Sequence, residues 1–297
     1  IVLGLAPSAA ATAALRAGLG EHCDTLAKLV SCLDTGRLPD WAAGIGPRSL
    51  VVVDEAGMAG TLELARAVEY VLGRGGSLRL IGDDRQLASV AAGGVLRDIA
   101  ATQGAATLTE LVRFTDPAEA AATVALRDGD TIGLGFYLDH HRVHVGDLST
   151  CADQAYAAWA ADRARGLDAL LLAPTRDLAT QLNARARADR LADTTSPGGP
   201  EVRLADGTAA GAGDAVITRS NDRTLRVTTT DWVKNGDRWT VTGVSTDGRL
   251  DVAHAVTGRR ITLPAGYVRE HVQLGYASTV HAAQGHTAEA CHTVLSG

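Results

Sequence analysis

The chain has 297 residues, 46% of them hydrophobic and 4% aromatic, with a formal net charge of −6. That length can bury a full core and points to two domains with a small third. The acidic total argues against a basic nucleic-acid-coating protein, but not against a groove that holds one strand through a few local contacts. There is no run of eighteen apolar residues to cross a membrane. Ile1 opens on an apolar stretch without a basic leader or start methionine, so no signal peptide is expected and the opening reads as that of a fragment. Cys23, Cys32, Cys151 and Cys291 form no CxxC pair, which predicts reduced cytosolic thiols and a cytoplasmic protein.

The first half alternates short apolar strands with helices. Residues 1–5 form an apolar run, and an Ala-rich helix is expected over 9–19. A β-branched strand follows at 49–53, then a helical pattern at Leu62, Leu64, Ala65, Val68 and Leu72, a strand at 77–81 and a helix at 93–101. This order predicts a parallel sheet covered on both faces. Pro117 begins a second pattern: helices at 118–127 and 148–165, a buried strand at 168–173, and an Arg/Ala helix at 175–191. Residues 194–200 read as a linker. From 201 to 267 short strands alternate with turns such as Asn235-Gly236-Asp237 and Asp247-Gly248, predicting a small β-barrel inserted into the second α/β unit. Residues 273–276 are expected to resume that unit as a strand, with a helix starting at 279–284.

Two segments carry chemistry. Val51-Val52-Val53-Asp54-Glu55-Ala56-Gly57-Met58 is an apolar strand that delivers two acids at its C-terminal tip, where α/β sheets bind ligands. In a nucleotide-hydrolysing enzyme Asp54 would hold Mg²⁺ through water and Glu55 would orient and deprotonate the attacking water. A solvated acidic turn is the plain alternative. Leu80-Ile81-Gly82-Asp83-Asp84-Arg85-Gln86-Leu87-Ala88-Ser89-Val90 is a second strand ending in a polar loop, where Gln86 is suited to sensing a γ-phosphate; an acid there also serves as a helix cap.

Together these segments resemble motifs II and III of superfamily-one helicases of the RecD-like branch. The remaining motifs follow in order. Leu5-Ala6-Pro7-Ser8 looks like motif Ia, and 108–114 looks like motif IV, whose Arg113 would reach the γ-phosphate. Leu172-Ala173-Pro174-Thr175 looks like the strand-tip DNA contact of the second unit, and 276–287, with Thr279, His281 and Gly285, looks like motif V. The resemblance implies tandem RecA-like parallel-sheet domains with an inserted SH3-like β-barrel: 1–116, 117–198, 199–268 for the barrel, and 269–297. It also implies ATP and Mg²⁺ as cofactors, with Asp54, Glu55, Gln86, Arg113 and Gly285 around the nucleotide. Single-stranded DNA would be held by Pro7, Ser8, Pro174, Thr175, Thr279 and His281, and travel would be 5′ to 3′. Residues 136–143 and the Arg-rich, Lys-poor style are similar to the helicase half of MobF/TrwC-type conjugative relaxases, which implies a fused or separate relaxase domain.

The 297 residues contain no GxxxxGK[ST] phosphate loop; the only lysines, Lys28 and Lys234, lie in other contexts, and no motif VI arginine appears. The expectation is a helicase fragment that is inactive alone. The rival readings are a non-catalytic RecA-like module that binds DNA or protein, and a RecD-like repair helicase. His140, His141 and His144 are weighed as a metal cluster against a solvated loop. Trp159 is expected in a core and one of Trp232 and Trp239 inside the barrel. The Arg-rich helix at 176–190 is weighed as a phosphate rail against a solvated face.

Overall fold

The computed structural model describes residues 1–86, 94–108, 111, 114–193, 199–229 and 231–296. Arg113, the residues 87–90 of the Gln86 motif and most of the linker at 194–200 lie outside the described residues. Contacts divide the chain into two compact units, 1–143 and 144–297.

Unit 1 runs β1 (Val2–Ala6), α1 (Ala9–Leu19), β2 (Cys23–Thr25), α2 (Leu26–Thr35), α3 (Asp40–Ala43), β3 (Leu50–Val53), α4 (Thr61–Gly73), β4 (Ser77–Leu80), α5 (Val95–Gln103), α6 (Pro117–Arg127) and α7 (Gly133–Asp139). Its four strands are all parallel, in the order β2-β1-β3-β4. β1 and β3 are central, which is why Leu3, Leu5, Val51 and Val53 are buried; α2 and α4 cover them with Leu26, Leu29, Leu64 and Val71. α2 was passed over in the sequence although Leu26, Leu29, Val30 and Leu33 stand at helical spacing, and β2 carried no sequence signal because the strand is Cys-Asp-Thr. Its Thr25 turns directly into the helix, accepting the Lys28 amide at 3.1 Å.

α6 and α7, which the sequence reading put in the second RecA-like domain, fall within unit 1 by contacts. They pack as a hairpin. A Cβ on Gly133 would stand 2.4 Å from the Ala122 carbonyl, so the close crossing needs glycine there. α7 ends at Asp139, and the His140 ring stacks on Phe136 with Nδ1 2.7 Å from the Phe136 carbonyl.

Unit 2 begins with α8 (Leu148–Ala164), β5 (Ala169–Ala173) and α9 (Arg176–Ala192). The strands β6 (Glu201–Arg203), β7 (Ala209–Gly211), β8 (Ala215–Thr218), β9 (Asp222–Arg226), β10 (Trp232–Val233), β11 (Arg238–Val244), β12 (Leu250–His254) and β13 (Arg260–Leu263) follow. It finishes with α10 (Ala265–His271), β14 (Val272–Leu274), β15 (Ala277–Thr279), α11 (Val280–Ala283) and β16 (Ala290–Thr293). A parallel sheet of order β15-β5-β16 carries α8 and α9, and an antiparallel sheet of order β13-β12-β11-β8-β14 forms the SH3-like barrel. Trp159 is in the core of the first, donating to the Ala169 carbonyl, and Trp239 in that of the second.

One expectation needs correcting. The strand at 273–276 does not resume the α/β sheet. β14 pairs antiparallel with β8 and closes the barrel, and it is β15 that pairs with β5. Gly275 makes the switch: a Cβ there would lie 2.8 Å from the Val216 backbone.

Candidate nucleotide and nucleic-acid sites

In unit 1 three strand tips converge through backbone bonds. The Asp54 amide donates to Leu5 (2.9 Å), the Ile81 amide to Val53 (2.8 Å) and the Ala56 amide to Ile81 (2.8 Å). Residues 56–58 form a single 3₁₀ turn, entered through Glu55 in the left-handed region at φ 50°. Gly57 and Gly82 permit this approach. A Cβ on Gly57 would sit 2.9 Å from the Asp83 carbonyl, and one on Gly82 would sit 3.0 Å from the Ala56 nitrogen. Asp54 and Glu55 therefore share one rim with the Asp83–Gln86 loop. Asp54 Oδ1 accepts the Glu55 amide at 3.0 Å.

That loop is held from below by α5. Arg97 donates twice to the Asp84 carbonyl, at 3.0 and 2.7 Å. Asp83 accepts the Arg85 amide at 2.9 Å and has the Gln86 side chain 3.5 Å away, so it orients the residue read as a phosphate sensor. A small cavity of about 150 Å³ opens between Gly57, Asp83, Gln86 and Arg97. Sequence reading missed Arg97, whose only signal was a cation on the helix that follows the loop.

Among the described residues no group of three or more His, Cys, Asp or Glu is placed to hold a metal ion directly. An Asp-Glu pair suits a cation held through water, so Asp54 fits that part of the Mg²⁺ role. The phosphate-cradling loop is not in the sequence, and the fit to a nucleotide is partial.

The other predicted residues of unit 1 lie at the β1 tip. Ser8 (φ −123°, ψ 157°) caps α1, its Oγ accepting the Ala11 amide at 3.1 Å. In unit 2 Thr175 (φ −126°, ψ 158°) caps α9, its Oγ1 accepting from Leu178 at 3.2 Å. A hydroxyl that accepts from its helix still has an O–H to donate to a phosphate. Thr279 stands at the N-cap position of the short α11 without a side-chain cap bond, and His281 is exposed on the first turn. Gly285 has φ 83°. Thr175 and Thr279 end adjacent parallel strands, so the structure brings them together, with Thr279 opposite Ala173.

Side chains from a distance fix this second rim. Buried Asn183 on α9 donates to the Ala277 carbonyl and accepts the amides of Tyr276 and Ala277, at 2.8–2.9 Å. The Tyr276 hydroxyl donates to Asp214, which is fully buried and also takes Arg187 (3.0 Å), Arg190 (2.8 Å) and the Gly211 amide. Burial works against the Asp214 charge, but these donors together hold its carboxyl below the usual range. Arg238 bridges Asp168 through both nitrogens at 3.0 and 2.8 Å, tying β11 to the start of β5. The arginine helix is thus neither a rail nor a bare solvated face: Arg185, Arg187 and Arg190 are ion-paired, two of them to the barrel.

Comparisons with known proteins agree with this architecture. Residues 1–148 match a family model described as an AAA domain, and residues 202–273 match the Rv2311 SH3-like barrel domain. The chain is 28% identical over 253 residues to the "Probable conjugal transfer protein TraA" of Sinorhizobium fredii, covering 84% of this chain and 22% of that one. It is 28% identical to the "Conjugal transfer protein TraA" of Agrobacterium fabrum with the same coverage. It spans about a fifth of the length of these relatives. The uncharacterized protein Rv2311 of Mycobacterium tuberculosis is 44% identical over 66 residues, 22% of this chain and 38% of that one. In fold, the chain is similar to the Pif1 helicase from Candida albicans, with a TM-score of 0.55 at 16% identity, covering 98% of this chain and 77% of that one. Motif order, barrel and comparisons agree: the chain carries an AAA-domain match followed by an SH3-like barrel match, is similar in sequence to proteins named for conjugal transfer, and shares its fold with a helicase structure.

Proposed function

We propose that these residues are part of an ATP-driven helicase that moves along single-stranded DNA, acting in conjugal transfer in the cytoplasm. The observation that carries this reading is the unit 1 rim, where the acid pair of β3 and the Gln86 loop of β4 are locked together by backbone bonds and two glycines. Asp54 would hold Mg²⁺ through water, and Glu55 would take the proton of the attacking water. Gln86 would report on the terminal phosphate, with Arg113 and Gly285 as further nucleotide contacts. When bound, the nucleotide–metal pair supplies the driving force. The chain's own part is to place a carboxylate base and a neutral donor on one rim. Pro7, Ser8, Pro174, Thr175, Thr279 and His281 would grip the strand on both units, with travel 5′ to 3′. The relatives named for conjugal transfer support a relaxase, fused or separate, as a partner.

The test is DNA-stimulated ATP hydrolysis by the full-length gene product. Glu55→Gln should lower turnover by about 10²–10⁴ while nucleotide binding holds, since a general base is worth that much. Near-normal turnover in the variant would refute the assignment of Glu55. A gene product with no ATPase would instead favour a non-catalytic binding module.

A further inference from the structure

A cavity of about 390 Å³ lies within unit 2, between the barrel and the parallel sheet. Its depth is apolar: Trp159 of α8, Leu171 of β5, Ile217 of β8 and Trp239 of β11 line it and are buried. Ala169, Ala215, Gly275 and Ala277 line it too, so the two β layers leave open a space that larger side chains would fill. The mouth is formed by Arg163, Ala255 and Val256, all exposed. Two of the charged side chains in the lining are already matched, because Arg238 is forked on Asp168 at 3.0 and 2.8 Å. Arg163 is not. Among the described residues its side chain has no hydrogen bond and no ion pair, and neither has the Ser278 hydroxyl. His286 adds no charge at neutral pH: burial first, then Arg238, hold it below its ordinary range, and its ring bonds the Gly236 backbone. Glu289, outside the lining, is taken by the Asp168 amide at 2.8 Å.

Sites for small molecules have this build: about 300–1,000 Å³, largely apolar, at a junction between folded elements, with a few polar groups that fix orientation. At roughly 30 Å³ per water the space takes about a dozen waters, or an organic body with as many heavy atoms. The lining carries one cation in excess, in a chain whose net charge is −6, and this selects an anion. A gap between two β layers with an indole at its floor selects a flat ring. We propose that the cavity binds a small aromatic monoanion, a ring system carrying one carboxylate. The ring lies between the β layers against Trp159. The carboxylate points to Arg163 at the mouth and to the N–H groups of Arg238 left over from its fork, with Ser278 as a further donor. Such a site is separate from the acid rim of unit 1 and does not require strand binding.

The probe is 2-naphthoate, with the neutral 2-naphthamide as its counterpart. Binding to the 297-residue chain is followed by saturation-transfer NMR at low salt and by thermal melting. Naphthoate should bind saturably and raise the melting temperature. The amide should bind about tenfold more weakly, because the charge-assisted bonds are lost. Arg163 is exposed and unpaired, so Arg163→Gln should fold normally. That variant should weaken naphthoate by about two- to fivefold, as an exposed ion pair is worth, and leave the amide unchanged. Ala255→Trp, at the mouth, should weaken both. Arg249→Gln, an exposed arginine paired to Asp247 and absent from the lining, should change neither. No saturable naphthoate binding, equal affinity for carboxylate and amide, or binding that neither Arg163→Gln nor Ala255→Trp weakens would each overturn the site.

Discussion

At the end of β1 the chain reads Leu5-Ala6-Pro7-Ser8, and at the end of β5 it reads Leu172-Ala173-Pro174-Thr175. The backbone angles of Ser8 and Thr175 agree within 3°, and each hydroxyl caps the helix that follows. The two units then diverge. Unit 1 continues to a rim of acids held by backbone bonds and by glycines that leave no room for a Cβ. Among the described residues, unit 2 has no acid pair at its rim. It continues through an inserted barrel, and its rim is held by side chains that reach in from elsewhere, Asn183 and Asp214 above all. The same turn thus ends two strands, one in the unit with the acid rim and one in the unit with the barrel. The first rim depends on local backbone, the second on a buried polar network.

The largest expected effect breaks that network. Asp214→Ala leaves Arg187 and Arg190 half-buried without their shared carboxylate, which costs about 3–5 kcal/mol. Urea unfolding followed by hydrogen exchange in each unit should show unit 2 destabilised and unit 1 unchanged; equal loss in both would erase the contrast. The same group sets an acid limit. A carboxyl held below its unfolded value of 3.8 contributes stability that is present above that pH and lost as pH falls through the folded value. Unit 2 should therefore weaken first on acidification below about pH 4.

Asp237, in the barrel turn, has the opposite sign. Burial pushes its carboxyl up to about 6, despite the Lys234 amide it accepts at 2.8 Å. A raised carboxyl favours the folded state below pH 3.8, and that contribution is lost as pH rises through 6. Asp237→Asn, which mimics the protonated form, should stabilise unit 2 by about 2–3 kcal/mol at pH 8 and by little at pH 4. Thermal melts at both pH values check this, and a stabilisation independent of pH would contradict it.

The smallest effect tests how alike the two tips are. Ser8→Ala and Thr175→Ala each remove a side-chain helix cap, worth about 1 kcal/mol. Each loss should appear in its own unit, as read by hydrogen exchange. A markedly larger cost at one tip would mean that its hydroxyl has a further structural task.

The same contrast explains what could be read from the sequence. α1 was expected at its observed bounds, and β3, α4 and β5 within a residue or two, because apolar periodicity and caps are local signals. The acid rim was legible for the same reason: Gly57 and Gly82 lie in the motifs themselves. β2 was not, because Cys-Asp-Thr has no apolar run. β14 was assigned to the wrong sheet, since the residues before Gly275 suit a strand in either, and pairing with β8 is settled by a partner more than fifty residues away. Asp214 was invisible. Arg187 and Arg190 share a face of α9, but nothing local names a turn of the barrel as their partner.

The central claim of the proposed function is that single-stranded DNA is held at these matching strand tips. Hydrogen exchange on the 297-residue chain, with and without oligo-dT at low salt, tests it most directly. The account predicts protection at the first turns of α1, α9 and α11, around Ser8, Thr175 and Thr279, in both units and reversed by raising salt. Protection confined to one unit, or to the outer strands of the barrel with both tips unchanged, would contradict it.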